Sequence, residues 1–339
     1  MLRYVLRRVV SIIPVLFGVT LVMFIVSHST SADPTALMLG DRASADPELV
    51  AAFHEKWGLD QPLPVQYGHY LVNLVHGDLG MSIFTQRPVL DDLMQYFPAT
   101  VELATLAAII SVCVSIPLGV IAAIRPHGLT DGLIRTLTLL GSSMPIFWLA
   151  LVALQLFYFQ WGVAAGPGRM SSGSIDPEGT GGFYATVSLF RGDWATFSDV
   201  MSHMILPAIV LASWSIGVIT RVMRNSMMTV LQQDYLRTAR AKGATDRYIF
   251  TRHGFRNALM PVVTLTGTAF AELLAGAVTT EMIFAWPGIG RYSYQAATAL
   301  DFPAIMGVGL LVAFVYLIVN LAVDLLYPLL DPRVKVAAR

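Results

Sequence analysis

The chain has 339 residues, of which 55% are hydrophobic and 13% charged, and its formal net charge is zero. A soluble domain is about 25% charged, so the composition excludes an ordinary water-soluble globule and calls for a bilayer, whose core takes roughly 20 apolar residues per helix. The single cysteine, Cys113, excludes an intrachain disulfide and, lying in an apolar run, reads as packing.

The first element is an apolar run from Val9 to Ser27 behind Arg3, Arg7 and Arg8. It is longer than a secretory h-region, and the following "SHSTSAD" fits a small-residue cleavage site poorly, so it reads as a retained span, residues 1–28. Residues 29–97 read as a folded cap outside the membrane. Asp46-Pro47-Glu48 is a helix start, with Leu49, Val50, Phe53 and Trp57 at helical spacing and Gly58 as the stop. A second amphipathic helix is predicted from Pro64 to Val75, ended by Gly77.

Residues 98–330 hold five more apolar runs: Ala99–Ile124, Leu133–Trp161, His203–Met223, Ala258–Ala285 and Ile305–Tyr327. Residues 331–339 form a tail. The fold class is therefore an all-α polytopic membrane protein with six spans. Ser142 and Ser143 in the third run have no His in a partnering position and read as helix packing. Between runs three and four, "AAGPGRMSSGSIDPEGTGGF" is Gly/Ser/Pro-rich and predicts a mobile surface loop. Trp286-Pro287-Gly288, after run five, predicts a tight turn with aromatics at the interface.

Charge sets the orientation. The N-terminus and segments 125–135, 221–256 and 328–339 carry sixteen Lys and Arg, against six in the intervening segments. The positive-inside rule then places both termini in the cytoplasm. The largest cytoplasmic segment, 224–257, contains "DYLRTARAKGATDRYIFTRHGFRN" from Asp234. Asn225–Lys242 lacks Gly and Pro and predicts helix; Gly243 fits a left-handed C-cap; Thr245 can cap a second helix. That second helix carries Tyr248, Ile249 and Phe250. Apolar surface at a basic elbow reads as a docking site for a cytosolic protein, with anionic membrane lipid as the competing partner.

Intramembrane acids are the remaining candidates. Glu102, Glu281 and Asp324 lie near span ends and read as structural. Glu272 lies about halfway along Ala258–Ala285, roughly 20 Å from either end at 1.5 Å per residue. There a carboxylate must be protonated, paired or hydrated. Thr264, Thr268, Glu272, Ala275 and Thr279 fall on one face, which either lines a path or packs two helices closely. Enzyme motifs are missing: no G-x-x-x-x-G-K-[ST], H-E-x-x-H or G-x-S-x-G occurs, and seven scattered His give no metal spacing.

"DYLRTARAKG" followed by "RHGFRNALMPVVT", with "IFAWPGIGR", "HGDLGMS" and "RPVLDDL…PAT", resembles the dipeptide/oligopeptide branch of type I ABC-importer permeases over nearly the whole chain. The resemblance implies one N-terminal span added to a five-helix core. It also implies a non-catalytic subunit in a bacterial inner membrane. The implied partners are a homologous second permease, two cytosolic ATPases that bind the ATP and magnesium, and an extracytoplasmic substrate-binding protein; no cofactor and no nucleic acid are implied for this chain. By position, Thr238, Ala239 and Gly243 take the family's Ala-Ala-x-x-x-Gly places, with Arg237 where Glu is common elsewhere in the superfamily. The loop around Gly243 would then be the coupling segment, with Tyr248, Ile249 and Phe250 beside it. Glu272 departs from the expected small or apolar residue and leaves the solute open among peptides, nickel chelates and glutathione. A stand-alone channel or secondary carrier is the reading from another class.

Overall fold

The computed structural model describes residues 2–29, 61–174 and 176–330. The predicted helix at Asp46–Gly58 and the tail 331–339 lie outside the described residues. The chain divides into two compact units: Met1–Pro98 with Arg291–Val315, and Ala99–Gly290 with Tyr316–Arg339. Among the described residues, five helices are long and apolar enough to cross a membrane, or six if one bent pair counts as a single span.

In the first unit, α1 (Leu2–Ser29) exposes Ile13, Phe17, Val22 and Ile25, as a span facing lipid must. Helix α2 (Leu63–Val75) agrees with the predicted amphipathic helix, and Gly77 follows it with φ +81°. It meets α1 through aromatic rings: Tyr67 lies 5.2 Å from Phe24, and its hydroxyl is 2.9 Å from Thr20 Oγ1. The "GDLGMS" and "RPVLDDL" stretches are organised by two buried carboxylates. Asp301 accepts hydrogen bonds from Ser82 Oγ (2.5 Å), Phe84 N (3.0 Å) and Ala304 N (3.2 Å). Asp92 accepts from Thr85 Oγ1 and from the Tyr292 hydroxyl (3.1 Å). Burial of a charge is tolerated when hydrogen bonds replace its water, which explains how so apolar a chain accommodates these short polar motifs.

In the second unit, α3 (Val89–Ile124, which begins in the first unit), α4 (Leu129–Ser143), α5 (Ile146–Ala153), α6 (Tyr184–Arg191) and α7 (Trp194–Leu231) come first. Then follow α8 (Asp234–Ala241), the one-turn α9 (Asp246–Tyr248), α10 (Arg256–Gly276), α11 (Val278–Ile283), α12 (Ile289–Thr298) and α13 (Phe302–Leu330). The last two straddle the boundary between the units. Helix α7 is central and packs against α4, α6 and α10. It has 38 residues, about 57 Å at 1.5 Å per residue, well beyond a hydrocarbon core of roughly 30 Å. Its ends stand in water, which is why hydropathy reached only His203–Met223. Asp193 caps its start by accepting from Thr196 N at 3.1 Å.

The third span is not the continuous helix that the apolar run Leu133–Trp161 predicts. Helix α4 stops at Ser143 and α5, extended by a π-helical stretch Leu154–Gln160, restarts at Ile146, bent by 103°. Pro145 is the cause: it lacks an N–H, and it drives Met144 to ψ 137°, outside the helical region. Ser142, beside the break, donates to Leu139 O at 3.1 Å and lies against Gly217 of α7, a packing role. Cys113 is exposed rather than packed inside the chain.

The Gly/Ser/Pro-rich segment also departs from expectation. It is pinned at Arg169, which is 8% exposed, and helix α6 follows it directly. Arg169 Nη2 meets Glu102 Oε2 at 2.8 Å and donates to Gly182 O; its guanidinium lies 3.8 Å from the centre of the Tyr184 ring. Glu102 Oε1 accepts from Thr186 N at 2.8 Å. Burial pulls the Arg169 pKa below its ordinary value, and the Glu102 carboxylate opposes that pull.

Candidate functional site

The basic elbow is built from α8 and the turn after it. Gly243 N donates to Arg240 O at 2.9 Å and Ala244 N to Ala239 O at 3.1 Å. This pair of bonds is a Schellman cap, which needs a left-handed residue, and Gly243 has φ +83°. Ala239 and Gly243 are thus the two ends of one capping motif, and Thr238 O accepts from Lys242 N at 3.1 Å. Thr245 caps the next turn, its Oγ1 accepting from Tyr248 N at 3.4 Å.

Two features differ from what the sequence predicts. Helix does not run through to Lys242: it breaks at Gln232 and Gln233, where ψ reaches 144°. The break turns the chain so that Leu236 is fully buried, a packing demand that local propensity cannot register. Nor do Tyr248, Ile249 and Phe250 form one exposed patch. Ile249 is 1% exposed, and Phe250 packs on a core of Ile219, Met223, Met227 and Ala258. Only Tyr248, at 51% exposure, faces outward, its ring edge-on to His253. The exposed surface of the elbow therefore includes Tyr235, Arg237, Thr238, Arg240, Lys242, Gly243, Arg247 and Tyr248.

The elbow is fastened to the spans on both sides. Asn257 Nδ2 donates to the Tyr235 hydroxyl at 2.8 Å, joining α8 to the base of α10. A π-helical stretch, Ile249–Phe255, leads from the elbow into α10, so the second helix and the fifth span are one rod with a widened turn. The surface pair Arg237–Asp234 at 3.4 Å is highly exposed, and such pairs contribute little.

Glu272 is exposed on α10, and Thr264 and Thr268 share its face. The two hydroxyls donate to their own helix, at Met260 O and Leu265 O. Helix α10 ends at Gly276, so Glu272 is about 6 Å from its end by the rise per residue, not mid-span. Thr279 lies beyond the break, on α11. The structure therefore keeps Thr264, Thr268 and Glu272 together and separates Thr279 from them.

The motif "IFAWPGIGR" gains a physical reason. Glu281 is fully buried and accepts from Thr100 Oγ1 at 2.6 Å, while that oxygen accepts from Ile289 N at 2.8 Å. Trp286 is inside the core, not at an interface, and its Nε1 donates to Ala99 O at 2.9 Å. A Cβ at Gly288 would collide with the Glu281 carboxylate, and one at Gly290 would lie 2.6 Å from Val278 Cα. Overpacking of this kind costs about 1–3 kcal/mol. Gly288→Ala is therefore expected to lower the thermal midpoint of the detergent-solubilised chain, whereas Gly18→Ala, where nothing lies within 4 Å, is expected to leave it in place.

Long apolar helices joined by a capped basic elbow define a multi-span helical membrane protein in class. The family "Binding-protein-dependent transport system inner membrane component" matches residues 115–336, and the N-terminal domain family of the same systems matches residues 1–104. The chain belongs to this family of inner-membrane permeases. It is 43% identical over 328 residues to the probable D,D-dipeptide transport system permease protein of Escherichia coli K12, covering 97% of this chain and 96% of that protein. It is 41% identical over 337 residues to the dipeptide transport system permease protein of the same organism, covering 99% of each. It is also 41% identical over 335 residues to the di/tripeptide transport system permease protein of Pseudomonas aeruginosa UCBPP-PA14, covering 99% of each. The family assignment does not favour a channel or carrier that acts alone.

Proposed function

We propose that the chain is the permease subunit of an ATP-driven importer for di- and oligopeptides, supplying half of the pathway and one mechanical link. Full-length likeness to three permeases named for dipeptide or tripeptide transport carries the reading. ATP and magnesium belong to two cytosolic ATPases. A second, homologous permease completes the pathway, and a substrate-binding protein delivers the solute to segment 29–97 on the outer side.

Transmission follows from how the elbow is fastened. Closure of the ATPases displaces α8; Leu236, Ile249 and the Tyr235–Asn257 bond carry the displacement to α7 and α10 as a rigid movement. Arg237, Thr238, Ala239, Gly243 and Tyr248 form the docking surface, and the buried Ile249 and Phe250 anchor it. The experiment is uptake of a labelled dipeptide by cells without their own peptide permeases, complemented with this chain and its partner subunits. No uptake, with the complex assembled, refutes the peptide assignment.

Thr268, Glu272 and Thr279 are the proposed pathway residues, with Glu272 receiving the positively charged amino end of the peptide. Glu272→Gln keeps size and hydrogen bonding but removes charge. Uptake of free-amine dipeptides is expected to fall about tenfold, the loss of one charge-assisted contact, with N-acetylated dipeptides unaffected. An equal fall for both peptides, measured as competing initial rates, assigns Glu272 a structural role.

A further inference from the structure

A cavity of about 570 Å³ opens between α4 and α7, lined by Arg135, Arg221, Arg224 and His127 and by no acidic residue. Asp131 lies one turn from Arg135, but its carboxylate is engaged. It accepts from Arg224 Nε and Nη2 at 2.6 Å each and from His127 N at 2.9 Å. That pairing holds the Arg224 guanidinium in place. Arg135 and Arg221 are exposed and make no ion pair or hydrogen bond among the described residues. Thr220 also lines the cavity; it is buried, and its Oγ1 has no hydrogen-bond partner among the described residues. A buried hydroxyl without a partner costs free energy unless something completes it. Excess positive charge at the opening and an orphan donor buried in the wall behind it suit an oxyanion, and the planar guanidinium fork suits phosphate oxygens.

The surroundings select the kind of phosphate. Leu139 lines the cavity and is itself exposed, and Leu133, Leu137 and Leu140 extend the exposed apolar surface round the outer side of α4. Arg221 and Arg224 stand ten and seven residues before the end of α7 at Leu231, close to the elbow. A headgroup site next to an apolar ridge fits an amphiphile rather than a small soluble ion. We propose that this cavity binds the phosphate of an anionic phospholipid in the leaflet on the elbow side, with the acyl chains along the leucine ridge. The bound lipid would brace α4 against α7 where the elbow transmits its movement.

The test is native mass spectrometry of the full chain in detergent, with whatever subunits co-purify, titrated with phosphatidylglycerol or phosphatidylcholine. Phosphatidylglycerol is expected to be retained preferentially, and Arg135→Gln with Arg221→Gln should weaken its retention about twenty-five-fold, at roughly fivefold per arginine. Thr220→Val removes an unbonded hydroxyl, so the fold persists, and retention should fall about threefold, the value of one modest hydrogen bond. Equal retention of the two lipids overturns the proposal. So does retention that survives both the arginine and the Thr220 substitutions; if the arginine variant does not fold, Thr220→Val alone decides. Displacement of phosphatidylglycerol by millimolar inorganic phosphate overturns the lipid assignment in favour of a soluble oxyanion.

Discussion

Gly243→Val is expected to abolish peptide uptake while the chain still inserts into the membrane. At φ +83° a side chain is strained whatever space surrounds it, and here nothing lies within 4 Å of the Cβ position. The whole effect is therefore conformational. A non-glycine residue in this region costs about 1–2 kcal/mol, and a β-branched one more. The relief is to unwind the cap, giving up the Gly243–Arg240 and Ala244–Ala239 bonds that orient α8. Uptake should fall at least tenfold, since each 1.4 kcal/mol is about a factor of ten, and less ATPase should co-purify. Gly243→Asn, which tolerates the left-handed region, should retain most of both. Loss of uptake in Val and Asn variants alike, with association intact, would shift the explanation from the cap to the side chain itself.

Arg169→Ala should be the most damaging single substitution in the segment between α5 and α7. It leaves Glu102 buried with its ionic partner gone, and it removes the cation from the Tyr184 ring. Breaking a buried pair from one side costs about 3–5 kcal/mol, enough to lower yield and thermal midpoint sharply. Replacing both members, Arg169→Met with Glu102→Leu, should recover most of the loss, because no uncompensated charge remains. Thermal unfolding in detergent of the two single variants and the double variant completes the cycle. Additive losses would mean that the two groups stabilise the chain independently of each other.

The elbow's cap is legible in the order of its residues. A lone glycine after a helix-forming run, followed by Thr245, has one common physical use, and the Schellman bonds at Ala239 and Gly243 are that use. The bend in the third span is equally present in the sequence, at Pro145, but a hydropathy window averages over a proline and sees one apolar stretch. The anchoring of Ile249 is not legible, because an apolar residue at a surface turn looks the same whether it faces a partner or its own core. Arg169 is hidden for the converse reason. A single basic residue in a Gly/Ser/Pro run reads as solvated, and its carboxylate partner is 67 positions away. The same distance problem conceals why Gly288 and Gly290 are small, since Glu281 meets them only after the turn at Trp286 has formed.

Composition and period by themselves determined that this chain is helical, that it is built of six apolar runs able to cross a bilayer and where its basic elbow falls. These properties depend on local quantities: transfer of apolar side chains, backbone satisfaction within each helix, and the preference of one glycine for positive φ. The tertiary structure alone decided which charges are buried and by what they are answered: Asp92 by Thr85 and Tyr292, Glu102 by Arg169, Asp131 by Arg224, and Glu281 by Thr100. Desolvation makes each of those carboxylates costly until a group distant in sequence reaches it. Complementarity of that kind exists only between surfaces already folded together, and no window along the chain contains both halves.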